Sequence, residues 1–450
     1  MRARPDAVVL GAGVTGLAIG AASGCPLFEA TLTPGGICSS YYLRSDRTIK
    51  SGVERLLTPP GDDEAYRFEV GGGHWIFGAD PMISNLVANL APARSYSRRS
   101  AVFFPDWQML VPYPLQNNLA YLPKDVRRRA LSELLHTSRG CALTMAASLQ
   151  QSFGRTLTDL FFGPFHESYT AGLWTRIAPQ DQYKTPLDLQ LILRGSTEHS
   201  PTVGYNKTFL YPQDGLSFLS SQMAERCDIR YSHRVVHIDV AEKQVVFAGG
   251  KTFGYESIMS TLPLNEMLAL ADLTIDQEAD PFCSVLVLNI GAMKGSKLPN
   301  EHWIYVPKTT SGFHRIGFYS NVDSSFLPAS YRTNADRVSM YVERSFLGGT
   351  KPSDSDLADY TQAVIRELQG WEFIERVDVV DPTWIRVAYT WSWSGSHWRS
   401  EALKRFQENS IIMAGRYGRW SFQGIAASIR EGLSVGACHR LSKHKDFTRR

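Results

Sequence analysis

The sequence has no run of about twenty apolar residues, so no segment reads as a membrane-spanning helix. Cysteine is sparse. The six residues Cys25, Cys38, Cys141, Cys227, Cys283 and Cys438 lie far apart, with no C-x-x-C pair. That spacing argues against a metal site or a dense disulfide framework and suits a reducing, cytoplasmic setting. Charge of neither sign dominates: 47 Lys and Arg stand against 44 Asp and Glu, for a net +3. A balance of this kind gives no reason to invoke nucleic acid. Arg127-Arg128-Arg129 reads as the solvated face of a helix, and Arg449-Arg450 as a tail. Only Met1 to Asp6 precede the first strand signal, too few for a signal peptide. Internal repeats and low-complexity segments are also missing. What remains is an ordinary globular composition, 43% hydrophobic and 20% charged. At 450 residues it predicts two or three domains.

The chain is organised around Val8-Val9-Leu10-Gly11-Ala12-Gly13-Val14-Thr15-Gly16. Three β-formers lead into G-x-G-x-x-G, and the apolar run Leu17 to Ala22 continues as a helix. In this dinucleotide-binding arrangement Gly11 makes the tight turn, Gly13 lets the backbone approach a pyrophosphate, and Gly16 lets helix and strand pack closely. Val14 and Thr15 supply N–H groups at the helix N-terminus, where unpaired donors and the dipole favour an anion. Leu27-Phe28-Glu29 reads as a second strand ending on an acid, with Glu29 placed for the adenosine ribose. The continuation through Pro34-Gly35-Gly36 resembles the extended motif of FAD-dependent amine oxidase-like proteins, whose Gly-Gly pair passes under the cofactor. FAD is therefore the expected cofactor.

Further along, Thr48 to Ala65 reads as a loop, and Gly71-Gly72-Gly73-His74 lets a backbone pass close to something planar. Ala101 to Phe104 and Trp107 to Val111 predict a β-hairpin, running into Pro112-Tyr113-Pro114-Leu115-Gln116-Asn117-Asn118. From Pro123 to about Leu193 the pattern is helical. Val126, Ala130, Leu131, Leu134 and Leu135 mark one apolar face, and Leu157, Leu160, Phe161 and Phe162 another. Strand patterns follow at Lys207 to Pro212, His233 to Asp239, Gln244 to Phe247 and Ile258 to Leu262. Ser284 to Ile290, His302 to Val306, Arg315 to Tyr319 and Val338 to Glu343 are spaced as strands of a second, antiparallel sheet. Trp391 and Trp393 alternate as one core face of a further strand. Ile411 to Ala414, Gly415-Arg416 and a helix over Ile425 to Ala437 form a closing strand–glycine–helix unit.

Taken in order, these segments resemble the flavin-dependent UDP-galactopyranose mutase family over most of the chain. Gly72-Gly73-His74 is similar to its histidine loop beside the flavin. Arg98-Arg99-Ser100 and the Pro112–Asn118 segment resemble the eukaryotic branch's uridine side. Tyr169 to Trp174 resembles the prokaryotic branch's mobile loop. Trp303-Ile304-Tyr305 with Arg315 resembles its pyrophosphate-binding strand pair, Tyr389 a substrate-facing tyrosine, and Gly415-Arg416 through Trp420 its last flavin motif. The implied fold is α/β: a Rossmann-like FAD-binding domain over 1–95, 201–265 and 405–450, the last including a C-terminal helix. A helical domain with the mobile loop is inserted over 118–200, and an antiparallel substrate sheet spans 96–117 and 266–404.

The resemblance implies a non-redox use of reduced FAD, whose N5 serves as nucleophile at the anomeric carbon of a nucleotide sugar. Pyranose and furanose forms would interconvert, with an external reductant such as NAD(P)H or a reductase as partner. Arg315 is the main candidate for holding the leaving diphosphate, because a guanidinium fork matches phosphate oxygens. Arg194 is the second, with Tyr305, Tyr389 and His74 completing the catalytic set. The cofactor set is Gly11, Gly13, Val14, Thr15, Gly16, Glu29, Gly35, Gly36, Gly72, Gly73, His74, Val235, Gly415 and Arg416. On the substrate side stand Arg98, Tyr113, Gln116, Asn117, Tyr169, Trp174, Asn206, Trp303 and Phe422, besides Tyr305, Arg315 and Tyr389; no metal is expected. Departures at five residues leave base and sugar open. Phe422 stands where the family has tyrosine, Leu115 where an aromatic residue flanks the base, Ala426 and Ala427 where polar residues are usual, and His166 near an asparagine position. Two other readings remain: an oxidase or desaturase of the amine oxidase type, and a catalytically silent nucleotide-sugar binder.

Overall fold

The computed structural model describes residues 6–45, 54–136, 140–180, 187–198, 206–334 and 336–447. The predicted loop at Thr48 to Ala65 thus lies partly outside the described residues. Among them a five-stranded parallel sheet runs in the order Ile229–Arg230, Leu27–Phe28, Ala7–Leu10, Ser257–Ser260, Ile411–Met413. Ala7 and Val9 enter one apolar cluster while Val8 and Leu10 enter another. That division shows why the segment has no polar alternation: a parallel strand covered on both faces is apolar throughout.

Helix Val14–Ser23 covers one face and packs along the C-terminal helix Ile425–Phe447. The contact is unusually close. A Cβ added at Gly432 would lie 2.4 Å from the carbonyl oxygen of Thr15, and one at Gly436 would lie 2.6 Å from that of Ile19. The four-residue spacing puts both glycines on one helix face, opposite a matching face of the first helix.

The second sheet has seven strands, ordered Ile374–Thr390, Phe282–Lys294, Arg337–Leu347, Arg315–Phe318, Trp303–Tyr305, Ser100–Phe104, Met109–Pro112. Its pairings are antiparallel except where Trp303–Tyr305 meets Ser100–Phe104 in parallel. The predicted antiparallel sheet is thus mixed at this one join. Pro105–Trp107 forms a 3-10 turn, so the hairpin's second strand starts at Met109, later than expected. Trp391 is buried just beyond the end of the Ile374–Thr390 strand. Helices Lys124–Leu135, Met145–Leu157 and Gly163–Tyr169 lie against the hairpin, sharing a core with Val102, Phe104 and Val111. Ala130 and Leu134 are buried there, whereas Leu135 faces solvent. No described helix is long and apolar enough to cross a membrane.

The helix contact gives a first prediction. Gly432→Ala should force the two helices apart and cost about 1–3 kcal/mol as an overpacking change. Thermal unfolding followed by circular dichroism checks it, and an unchanged midpoint would show that the helices can separate freely.

Candidate functional site

The Ala7–Leu10 strand ends at Gly11, whose φ of +91° is open to glycine, and Gly13 caps the following helix without a side-chain hydrogen bond. The first-turn N–H groups of Val14 and Thr15 therefore belong to a helix start without a side-chain cap hydrogen bond among the described residues. Gly16 does not line the site. Its added Cβ would fall 1.8 Å from the oxygen of Gly11, so it serves turn–helix packing. Gly13 is the opposite case, since a Cβ there meets nothing described within 4 Å. Gly35 donates its N–H to the Ala12 carbonyl at 2.8 Å, bringing the Gly35-Gly36 turn against Gly13. Glu29 closes this end, accepting N–H bonds from Ala12 at 2.8 Å and Thr31 at 2.9 Å. Gly11, Gly13, Val14, Thr15, Glu29, Gly35, Gly36 and Gly415 line one cavity of ≈ 490 Å³. Bare backbone, an uncapped helix start and space where a side chain would stand fit the pyrophosphate of a dinucleotide such as FAD.

The Gly71–His74 turn forms the next wall. A Cβ at Gly73 would lie 1.9 Å from the hydroxyl oxygen of Tyr341, and one at Gly72, with φ +76°, 2.9 Å from Glu343 Oε1. The planar group that this backbone passes is therefore, within the protein itself, the Tyr341 ring. Gly72 backs the wall, while Gly73 and His74 line the cavity. Burial, with Arg416 and Arg315 nearby, pushes the His74 imidazole down to about 4, so it is neutral near pH 7.

Beyond this turn the cavity becomes charged and tyrosine-rich. Arg315 donates Nε to Glu343 Oε2 at 2.9 Å and Nη2 to Oε1 at 2.6 Å, while Nη1 makes no hydrogen bond among the described residues. Tyr389 donates its hydroxyl to Glu343 Oε2 at 3.3 Å. The Glu343 side chain is 1% exposed and that of Arg315 26%, so the carboxylate is dry while the guanidinium is open on its cavity side. Burial beside this carboxylate holds the Tyr389 phenol protonated. Trp303 donates its indole N–H to the Tyr305 hydroxyl at 3.1 Å, and Tyr113 packs on Tyr305 with centroids 4.9 Å apart. Arg416 donates to the carbonyls of Ala388 and Gln423, and its guanidinium carbon sits 4.7 Å from the Phe422 ring centroid. Phe422 thus offers Arg416 an aromatic face.

Tyr169 and Asn206 also reach the cavity wall. Other expected residues do not. Arg194 points to solvent and pairs with Glu198 at 3.2 Å, one helical turn on. Trp174 bonds Glu167 at 2.7 Å, and Val235 lies in the separate three-stranded sheet. Arg98 is buried behind the wall, bonding Asn206 and stacking 5.3 Å over Tyr113. Gln116 and Asn117 are enclosed in the Leu115–Asn117 turn, and Leu115 is wholly buried in the helical-block core. The Leu115 departure consequently faces neighbouring apolar side chains and leaves the cavity unchanged.

Sequence reading missed Tyr341, Glu343, Phe165 and His314, all of which line the cavity. One signal existed. In Arg337–Leu347, Val338, Met340 and Val342 alternate with Ser339, Tyr341, Glu343 and Ser345, marking one polar face of a strand buried on both sides.

Two predictions follow from these walls. Gly13→Val should fold normally, because its side chain enters open space, yet purify with flavin content reduced at least ~10-fold, since ~1.4 kcal/mol costs a decade of affinity. Absorbance near the flavin bands against protein concentration measures this, and full flavin content would rule out the cradle. For His74, the unfolded chain takes up a proton as pH falls below 6.5 while the folded state resists until about 4. Stability is therefore fullest above pH 6.5 and declines toward pH 4. His74→Asn should narrow the difference in unfolding midpoint between pH 7.5 and 5.

The chain matches the model of the family described as flavin containing amine oxidoreductase over residues 27–439. Among solved structures it is similar to a reduced UDP-galactopyranose mutase, with TM-score 0.80 and 22% identity, covering 98% of this chain and 96% of that one. It is also similar to a proposed protoporphyrinogen oxidase from Exiguobacterium sp. 255-15, with TM-score 0.67 and 14% identity, covering 98% and 99%. A putrescine oxidase bound to putrescine gives 0.56 and 13%, covering 97% and 99%. At these identities the likeness to solved structures is one of fold; the family match rests on the sequence itself. The chain belongs to the flavin containing amine oxidoreductase family, and its cofactor is FAD.

Proposed function

We propose that this chain is a mutase that interconverts the pyranose and furanose forms of a nucleotide-linked sugar. The carrying observation is the Arg315–Glu343 pair. Glu343 holds the guanidinium by one edge and leaves Nη1 uncommitted at the wall of the FAD cavity. Bound reduced FAD would supply the nucleophile at the anomeric carbon.

The chain's own residues have three tasks. The first is to receive the diphosphate. Arg315 and Arg416 against the single carboxylate Glu343 leave this end of the cavity net positive, and a guanidinium fixed in direction needs no reorganisation when charge develops on a leaving phosphate. The second is neutral hydrogen bonding. Tyr305, whose oxygen accepts from Trp303, has its own O–H uncommitted among the described residues, while Tyr389 donates to Glu343 and offers the substrate its oxygen as an acceptor. The third is exclusion of water. Tyr169 packs at a tilt against Tyr389 at 4.6 Å and edge-on against Trp391 at 5.4 Å, closing the helical block over the strand ends. Desolvation then strengthens each charged contact. An oxidase would be served by an apolar channel, without two guanidiniums at the reacting end.

Arg315→Ala should abolish turnover while sparing flavin content, because truncating one partner of a desolvated charge pair costs about 2–5 kcal/mol. Arg315→Lys should rescue poorly, since a point charge cannot bond Glu343 and phosphate together in fixed directions. The assay incubates nucleotide sugars with and without dithionite. Conversion in the reduced state only, without consumption of reductant per turnover, is the expected outcome. Stoichiometric peroxide on substrate addition would establish the oxidase reading instead.

A further inference from the structure

His314 stands one residue before the Arg315–Phe318 strand. Its backbone is pinned on both sides: its N–H donates to the Glu343 carbonyl at 3.0 Å, and its carbonyl accepts from Val306 at 3.0 Å. The side chain is 1% exposed, and it lines the FAD cavity. Neither ring nitrogen has a hydrogen-bond partner among the described residues. The nearest candidate, Glu343 Oε2, lies 3.8 Å from Nε2, beyond hydrogen-bonding distance, and is already engaged by Arg315 and Tyr389. Tyr169 and Phe165 present their rings at 5.4 and 5.9 Å and offer it no hydrogen bond.

Buried polar side chains are almost always satisfied, so an imidazole with two orphaned nitrogens needs a reason. Burial, with Arg315 and His166 adding like charge, holds it neutral. A neutral imidazole offers one N–H donor and one lone pair. A phosphate oxygen could satisfy only the donor and would leave the lone pair of the other nitrogen unmet. An apolar group satisfies neither nitrogen. A hydroxyl satisfies either one, donating to the lone pair or accepting from the N–H.

We propose that His314 is a substrate-binding residue that reads a hydroxyl of the glycosyl group, which makes the site selective for a polyhydroxylated sugar at that position. The inference rests on the mutase reading and deepens it. It adds a hydroxyl-reading group, His314, beside the anion-binding Arg315 at the shared carboxylate Glu343. A sugar lacking the hydroxyl that meets His314 leaves a dry imidazole behind, and sites built on such bonds discriminate strongly against the deoxy analogue.

The test uses the reduced holoenzyme with UDP, UDP-galactopyranose and its monodeoxy analogues as probes, for wild type and His314→Leu. Affinity is followed by flavin fluorescence. His314→Leu should weaken UDP-galactopyranose on the order of 10–100-fold while changing UDP less than about twofold. One monodeoxy analogue should bind wild type and variant equally. The unfolding midpoint of the variant should be no lower than that of wild type, because an unsatisfied imidazole has been replaced by an apolar group. Equal weakening of UDP and the nucleotide sugar, or a lowered midpoint, would overturn the proposal by showing a role in the diphosphate clamp or in packing. Unchanged affinity for the nucleotide sugar, with UDP bound normally, would overturn this proposal alone. Failure of wild type to bind any of the nucleotide sugars used in the turnover assay would overturn the mutase reading and this proposal with it.

Discussion

The site depends on one buried carboxylate. Glu343 sits on a strand enclosed on both faces, where an unpaired charge would be very costly. It is compensated by elements far apart in sequence: Arg315 from the adjacent strand, Tyr389 from the edge strand, and the backbone of Gly72, which must stay bare to let it stand there. Each of these groups is thereby fixed relative to the others. The carboxylate acts as an internal template, aligning the Arg315 guanidinium at the cavity wall and fixing the hydroxyl of Tyr389 beside it.

The glycines divide into two physical kinds. Gly16, Gly73, Gly432 and Gly436 are small because protein already occupies the place of a side chain. Gly13 is small although no described residue fills that place. Only the second kind speaks of a ligand, and both look alike in a string of letters. The triple glycine before His74 illustrates the difference: its flatness accommodates Tyr341, and the cavity lies on the same side.

Phe422 gains a role from its surroundings that its position in a motif could not reveal. Lacking a hydroxyl, it lays its face against the Arg416 guanidinium, which leaves that cation oriented by two carbonyls and an aromatic ring. Leu115 shows the reverse. A departure that looked like a change in the ligand pocket is an ordinary member of an apolar core.

The dinucleotide cradle was legible in the sequence because its physics is local. A strand, a turn of glycines, a helix start and an acid all fall within the first thirty-six residues, and periodicity reports each. Six of the seven strands of the large sheet were likewise visible, apart from their ends and the one parallel join, but the edge strand Ile374–Thr390 was not. The far half of the site was not. Arg194 carries the right charge, yet its helix turns it to solvent beside Glu198, and no local pattern reports a helix's rotation relative to a distant cavity. Glu343, Tyr341 and His314 matter because sheet pairing sets strands 315–318 and 337–347 side by side and buries them. Burial converts an acid, a phenol and an imidazole from solvated side chains into fixed partners. The sequence by itself determined the cofactor cradle, and only the tertiary structure decided which charges face the cavity, because desolvation and pairing depend on neighbours that the chain brings from afar.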